Sequence, residues 1–185
     1  IADVNSVAGI VRAHAQSRAI ARALKDRARQ EAEHGPIGPP SPPHLSDGTW
    51  HVTVPRLIPA ATLVLSCGMH LTALPQNRQG WATLCRLLSQ GRLRAPKGDC
   101  LLHLDDVLER NTGLTLLLHP PHTPTDPRGA GDWLKRAQHL TRRLGAQMHL
   151  ALSPRYDGQD RARFNQHAAL ARQLGLPCVA SACPI

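Results

Sequence analysis

The side chains best suited to chemistry in this sequence are its eleven histidines and five cysteines. Neutral imidazole ligates metals and moves protons near neutral pH, and a thiolate ligates or attacks. His119 and His122 stand three apart at the end of an apolar run, His149 opens another, and His14 and His167 fall in stretches of helical character. A metal or hydrolytic centre also needs carboxylates close by in space, and the apolar runs here carry almost no Asp or Glu. Spacing alone leaves each of these residues readable as an ordinary helix-face or loop histidine.

The cysteines Cys67, Cys85, Cys100, Cys178 and Cys183 are odd in number and contain no Cys-x-x-Cys pair, which argues against a disulfide framework and a zinc knuckle. A reducing cytoplasm is the compartment that suits free thiols. Cys183 could ligate as thiolate or pack as a small apolar group. Asp105 and Asp106 are adjacent acids. A polymerase palm would need a third carboxylate and a strand, whereas here they open a short helix, where negative charge complements the N-terminal dipole. Nucleophile-elbow and phosphate-loop motifs are missing. Five cations, Arg78, Arg86, Arg92, Arg94 and Lys97, gather on one helix and its exit loop. They could touch phosphate or meet the acids of a neighbouring domain, and no aromatic interleaving supports base stacking.

These residues need a scaffold, and 185 residues with 42% hydrophobic and 19% charged suffice for one soluble domain with a real core. With aromatics at 3%, that core rests on Leu, Ala, Val and Ile. The net charge of +9 makes nucleic acid a plausible partner, although charge reports on association and not on fold. No signal peptide or membrane span is legible. The chain opens on Ile1 without Met and stops at Pro184-Ile185, and both ends are expected to continue into a longer protein.

Val7 to Glu33 reads as a helix rich in Ala and Arg, with Asn5 or Ser6 at its cap. Gly35 to Gly48 carries Pro36, Pro39, Pro40, Pro42 and Pro43 and reads as a connector. Trp50, Val52 and Val54 alternate like a strand. Thr62 to Ser66 and His70 to Leu74 flank Cys67-Gly68-Met69 as a hairpin. Gly80 to Leu93 is a helix with Trp81, Leu84, Cys85 and Leu88 inward. A short strand and helix fill Leu101 to Arg110, Thr115 to His119 is a buried strand, and His119 to Arg128 a Pro-rich loop. Asp132 is expected to cap a helix that buries Trp133, Ala137, Leu140 and Leu144 and ends at Gly145. Met148 to Leu152, a helix from Asp160 to Leu174 with Phe164, Ala168, Ala171 and Leu174 inward, and Leu176 to Ser181 complete a strand–helix–strand ending. That order predicts parallel strands covered by helices in a single α/β domain over residues 1–185.

Four stretches carry a family resemblance. Ile1-Ala-Asp-Val-Asn-Ser-Val-Ala-Gly-Ile-Val-Arg-Ala-His14 resembles the Ile-Thr-Asp … Ala-Gly-Val-Val-Arg-Ala-His segment of PHP (polymerase and histidinol phosphatase) domains of bacterial error-prone C-family DNA polymerases. Asn77-Arg-Gln-Gly-Trp-Ala-Thr-Leu-Cys-Arg-Leu-Leu-Ser89, followed by Gly91-Arg92 and Ala95-Pro-Lys-Gly98, is similar to that family's Arg-x-Gly-(aromatic)-x-x-Leu-x-x-Leu helix and basic loop. Leu101 to Leu108 sits where the family has a Leu-x-x-Asp-Asp-Leu segment, and Ala168 to Ala180 resembles its closing helix and strand. The Pro-rich 35–48 stretch departs from the pattern.

The resemblance implies a distorted PHP-type (β/α) barrel, incomplete at both ends, with metals at the strand C-termini in members that hold them. Asp3 matches the family's acid, and His14 lies in the same motif. The neighbouring ligand positions fall on Val4, Thr62 and, near the end, Cys183, so the implied metal site is degenerate, with Asp3 and His14 as its weak remainder. The implied role is a non-catalytic structural part of a polymerase that copies across DNA damage. It would have no tightly bound cofactor of its own, a divalent metal in the parent, DNA met through the parent, the other polymerase domains as partners, and no membrane. The competing reading is a metal-dependent phosphoesterase or proofreading exonuclease of the same superfamily. An autonomous DNA-binding module would need a motif such as a helix-turn-helix, which is absent.

Overall fold

The computed structural model describes residues 2–35, 57–121 and 127–181, with two compact units: Ala8–Ile58, and Ala2–Val7 joined to Pro59–Ile185. In the first unit the described element is one 27-residue helix, α1 (Ala8–His34). Its polar surface is laced by Arg27–Glu31 and Arg29–Glu33 ion pairs at 2.8 and 3.0 Å, four residues apart as one helical turn requires.

The second unit is built on a six-stranded mixed sheet in chain order: β1 (Ala2–Val4), β2 (Ala60–Val64), β3 (His70–Pro75), β4 (Leu114–His119), β5 (Met148–Leu152) and β6 (Cys178–Ala180). Strand β3 runs antiparallel to both its neighbours, β2 and β4, while β1 joins β2, and β5 and β6 follow β4, in parallel. The expected hairpin is present. Gly68 turns it at φ +81°, its N–H donating to the Leu65 carbonyl at 2.8 Å. The α/β class stands, and the described strands do not close into a barrel. Among the described residues the sheet is open, with β1 and β6 at its edges and three antiparallel strands at its centre instead of βα repeats.

Alternation along the strands sorts the sheet into two faces. Leu63, Leu71, Ala73, Leu116, Leu118, Met148 and Leu150 form one buried face. Helices α2 (Arg78–Arg94), α3 (Leu104–Glu109), α4 (Pro127–Leu144) and α5 (Asp160–Leu174) close over it with Leu84, Leu87, Val107, Trp133, Ala137, Leu140, Ala171 and Leu174. The other face carries Thr62, Thr72, Leu117, His119 and His149.

Several local expectations shift. Asn5 spends its side chain on the sheet, its carboxamide oxygen accepting from the Val64 N–H at 2.9 Å. On α2 the buried stripe runs through Thr83, Leu84, Leu87 and Leu88, while Trp81 and Cys85 are half-buried. Helix α4 starts at Pro127, so Asp132 lies inside it, exposed and 4.0 Å from Arg136, and does not cap it. Proline at a first helical position is well suited there, since its missing N–H would have had no partner. Helix α5 has the expected bounds and is closed by Gly175 at φ +66°, although Phe164 and Ala168 are only half-buried. The strand expected around Trp50, Val52 and Val54, most of the Pro-rich 35–48 stretch, His122 and Cys183 lie outside the described residues.

Candidate functional site

Helix α2 and the chain that returns across it build the most developed polar arrangement of the sheet unit. Asn77 caps the helix, its Oδ1 accepting from the Gly80 N–H at 2.9 Å. Gly80 lets the first turn lie against the backbone before β4, where a Cβ would stand 1.9 Å from the Gly113 carbonyl oxygen. Gly91 does the same further on, since a Cβ there would stand 2.6 Å from the Cys100 Sγ. With the return strand held close, the Leu101 N–H donates to the Gly91 carbonyl at 2.9 Å, and α3 begins beside the end of α2.

That approach delivers Asp106, 5% exposed, to Arg94. Arg94 Nη1 donates to Asp106 Oδ2 at 2.6 Å and Nη2 to Oδ1 at 3.0 Å, a bidentate pair. Gln90 Nε2 adds a bond to Oδ1 at 2.9 Å, and the His103 N–H one to Oδ2 at 2.8 Å. The network continues outward, because Arg110 Nη1 donates to Gln90 Oε1 at 2.7 Å. The hydrogen bonds from Arg94 hold the Asp106 carboxyl below the usual carboxylate range, and the same contact pushes the Arg94 guanidinium upward.

Over this network lies a shallow groove of ≈ 640 Å³ lined by Cys85, Arg86, Ser89, Gln90, Leu93, Arg94 and Arg110. Six of these repeat along one side of α2, and Arg110 follows the end of α3. Of the five cations singled out from sequence, Arg86 and Arg94 meet in the groove. Arg92 is turned to the N-terminal strand, its Nη2 donating to the Asn5 carbonyl at 3.1 Å. Arg78 is exposed at the start of α2 and Lys97 in the turn after it. Sequence reading missed Arg110, because only the packing of α3 against α2 brings it to Gln90.

The other expected site residues do not assemble into a centre. Asp3 lies half-buried on β1, in register with Ala61. Val4 and Thr62, the two positions matched to family ligands, are partners in adjacent strands. The Thr62 hydroxyl lies 3.2 Å from that of Thr72, which meets His119 Nε2 at 2.7 Å. His14 belongs to α1 in the other compact unit. Among the described residues no three His, Cys, Asp or Glu side chains come together in a way that could hold a metal ion. No helix among them is long and apolar enough to cross a membrane.

Similar proteins identify the stretch. Error-prone DNA polymerase of Sinorhizobium medicae is 37% identical over 181 residues, covering 98% of this chain and 13% of that protein. The relatives of this chain are error-prone DNA polymerases. Error-prone DNA polymerase 1 of Rhizobium meliloti is 36% identical over 181 residues, and that of Ruegeria pomeroyi 37% over 195, the latter covering 97% of this chain and 16% of the polymerase. The chain thus spans about an eighth to a sixth of the length of these curated relatives. No protein-family model matches it.

Proposed function

We propose that this chain is the PHP-type segment of an error-prone DNA polymerase, and that it serves the larger enzyme as a structural domain with a degenerate metal site. The reading is carried by one observation: similarity to error-prone DNA polymerases runs through 98% of the chain at 37% identity. The positions where the family resemblance expects ligands agree with it. Val4 is aliphatic, and the Thr62 hydroxyl already has the Thr72 hydroxyl as a neighbour. In this reading the open sheet is six strands of a distorted barrel whose two edges need partners. In this reading the parent protein acts in the cytoplasm in DNA synthesis across damage and supplies the palm carboxylates and divalent metal of polymerisation. This chain supplies a packed α/β body against which other polymerase domains rest.

The test has two arms. The 185-residue chain should extend no primer above a mock preparation and should carry no stoichiometric transition metal. Within the parent polymerase, Leu116→Ala at the centre of the sheet should lower melting temperature and primer extension together, at a cost of about 2–5 kcal/mol for a fully buried leucine. Asp3→Ala should leave primer extension and metal content unchanged. Two or more bound transition metals near Asp3, or loss of a hydrolytic activity in Asp3→Ala, would replace the structural reading with a phosphoesterase or exonuclease.

A further inference from the structure

We propose that the groove between α2 and the end of α3 is a phosphate site for a DNA backbone. Arg86 and Arg110 would hold the phosphate oxygens, with Gln90 and Asp106 as positioning residues behind them. The inference rests on the polymerase reading above and extends it from a passive body to one that touches the nucleic acid.

The geometry separates the groove's arginines by task. Arg94 is already committed, with both terminal nitrogens on Asp106 and a further bond from Nη1 to the Leu101 carbonyl at 3.3 Å. It neutralises the one buried acid near the groove and fixes Gln90 through the shared carboxylate. Gln90 in turn orients Arg110 by accepting a single N–H. A guanidinium has five N–H donors in a fixed fork, so Arg110 keeps donors for a ligand while its rotamer is held. Its acidic neighbour Glu109 is 3.8 Å away with a 68% exposed side chain, and a contact of that kind is weak in water. Arg86 lines the same groove, and among the described residues no carboxylate lies within ion-pair distance of it. Ser89, one turn along α2 from Arg86, adds a hydroxyl to the same lining.

Two cations from different elements, one of them braced by Gln90, with a hydroxyl in the same lining, match an anion with several oxygens. An extended polyanion suits the place better than a small one. The groove is open, and Arg78 and Lys97 are exposed before and after it along the same helix and its exit turn. Phosphate contacts of this type position a strand and carry no sequence information. Sequence-independent, salt-sensitive binding is therefore expected.

Fluorescence anisotropy of a labelled 20-nucleotide strand, titrated with the 185-residue chain at several salt concentrations, tests this. The three arginines substituted below are exposed, and circular dichroism will show that each variant is folded. Arg86→Glu with Arg110→Glu should weaken binding by about tenfold or more and flatten the salt slope by about 1.4, roughly 0.7 for each single-strand phosphate no longer neutralised. Arg142→Glu, a like reversal of charge on α4, should weaken it less than about threefold. Gln90→Leu should reduce the contribution of Arg110 while leaving that of Arg86. Equal weakening in the groove and Arg142 variants would overturn the proposal, as only net charge would then be at work. Displacement of the strand by millimolar pyrophosphate would assign the groove to a small phosphoryl compound and also overturn it. So would displacement by polyglutamate at the same charge concentration, which would point to an acidic protein partner. Any of these results would leave the structural role untouched, because that role is read from melting and primer extension in the parent.

Discussion

Asp106 shows how much one carboxylate can organise. Its two oxygens receive four hydrogen bonds, from Arg94 twice, Gln90 and the His103 backbone. It therefore stabilises the start of α3, the end of α2 and the back of the groove together. Asp106→Ala should destabilise the sheet unit by about 2 kcal/mol, since a buried carboxylate's bidentate guanidinium pair and a helix-start bond go together. Its neighbour Asp105→Ala, which leaves all four of those bonds in place, should cost well under half as much in the same urea titration. The pH dependence follows from the direction of the shift. The folded carboxyl is held below its ordinary value, chiefly by the Arg94 hydrogen bonds. Its stabilisation is thus fully present above the unfolded value of about 4 and disappears as pH falls through the lower, folded value. Asp106→Ala should show a shallower loss of stability below that pH. The loss will not vanish, because Asp157 and Asp160 are also held low, Asp160 chiefly by the Arg155 backbone N–H. The sequence made the helix-opening role of Asp105 and Asp106 legible. It could not reveal the Arg94 partner, twelve residues away, because that contact exists only once the chain folds back over Gly91.

The elements explain which parts of the sequence could be read. Helix α5 has an acidic first residue and a closing glycine, and its bounds were legible to the residue. Helix α4 was misplaced at its start because Gly129 and Gly131 look like breakers, while the Pro127 that begins it looks like loop. On α2, the aromatic and cysteine positions expected inward yield to Leu87 and Thr83, since close contact at Gly80 and Gly91 sets which side of the helix meets the sheet. This gives a sharp contrast between glycines. Gly80→Ala places a methyl 1.9 Å from the Gly113 carbonyl oxygen, backbone against backbone, and neither can yield without moving α2 from β4. It should cost about 2–3 kcal/mol, in the range of overpacked cores. Gly145→Ala meets nothing within 4 Å and has no positive φ. It should be neutral or stabilise by up to about 1 kcal/mol through the unfolded chain. Differential scanning calorimetry of the two variants should therefore move the midpoint in opposite directions or move it only for Gly80→Ala.

At the scale of the molecule, the open sheet is the feature that composition and periodicity could not settle. Apolar runs identified β2 to β6, although the short strand expected near Leu101 is only an isolated bridge from Leu102 to Leu65, and their order predicted the parallel β4–β5–β6 ending. Nothing local to a strand records whether a distant one pairs with it. In the described residues β1 and β6 each pair on one side, and Cys178 and Ala180 of β6 are exposed. An edge of this kind leaves a row of backbone N–H and C=O groups available to another strand. The relatives are about six to eight times longer than this stretch. We expect neighbouring polypeptide to cover these edges in the parent polymerase. Hydrogen exchange followed by mass spectrometry distinguishes the cases, because protection reports local opening at each strand separately from global stability. In the 185-residue chain, amides of β1 and β6 should exchange far faster than those of β3 and β4, where Leu71, Ala73, Leu116 and Leu118 are fully buried. In the parent, protection of β1 and β6 should rise by about tenfold or more, while β3 and β4 change only as much as the global stability does. If β1 and β6 are as well protected in the short chain as in the parent, the sheet is closed or capped by its own residues, and the need for partner strands falls away.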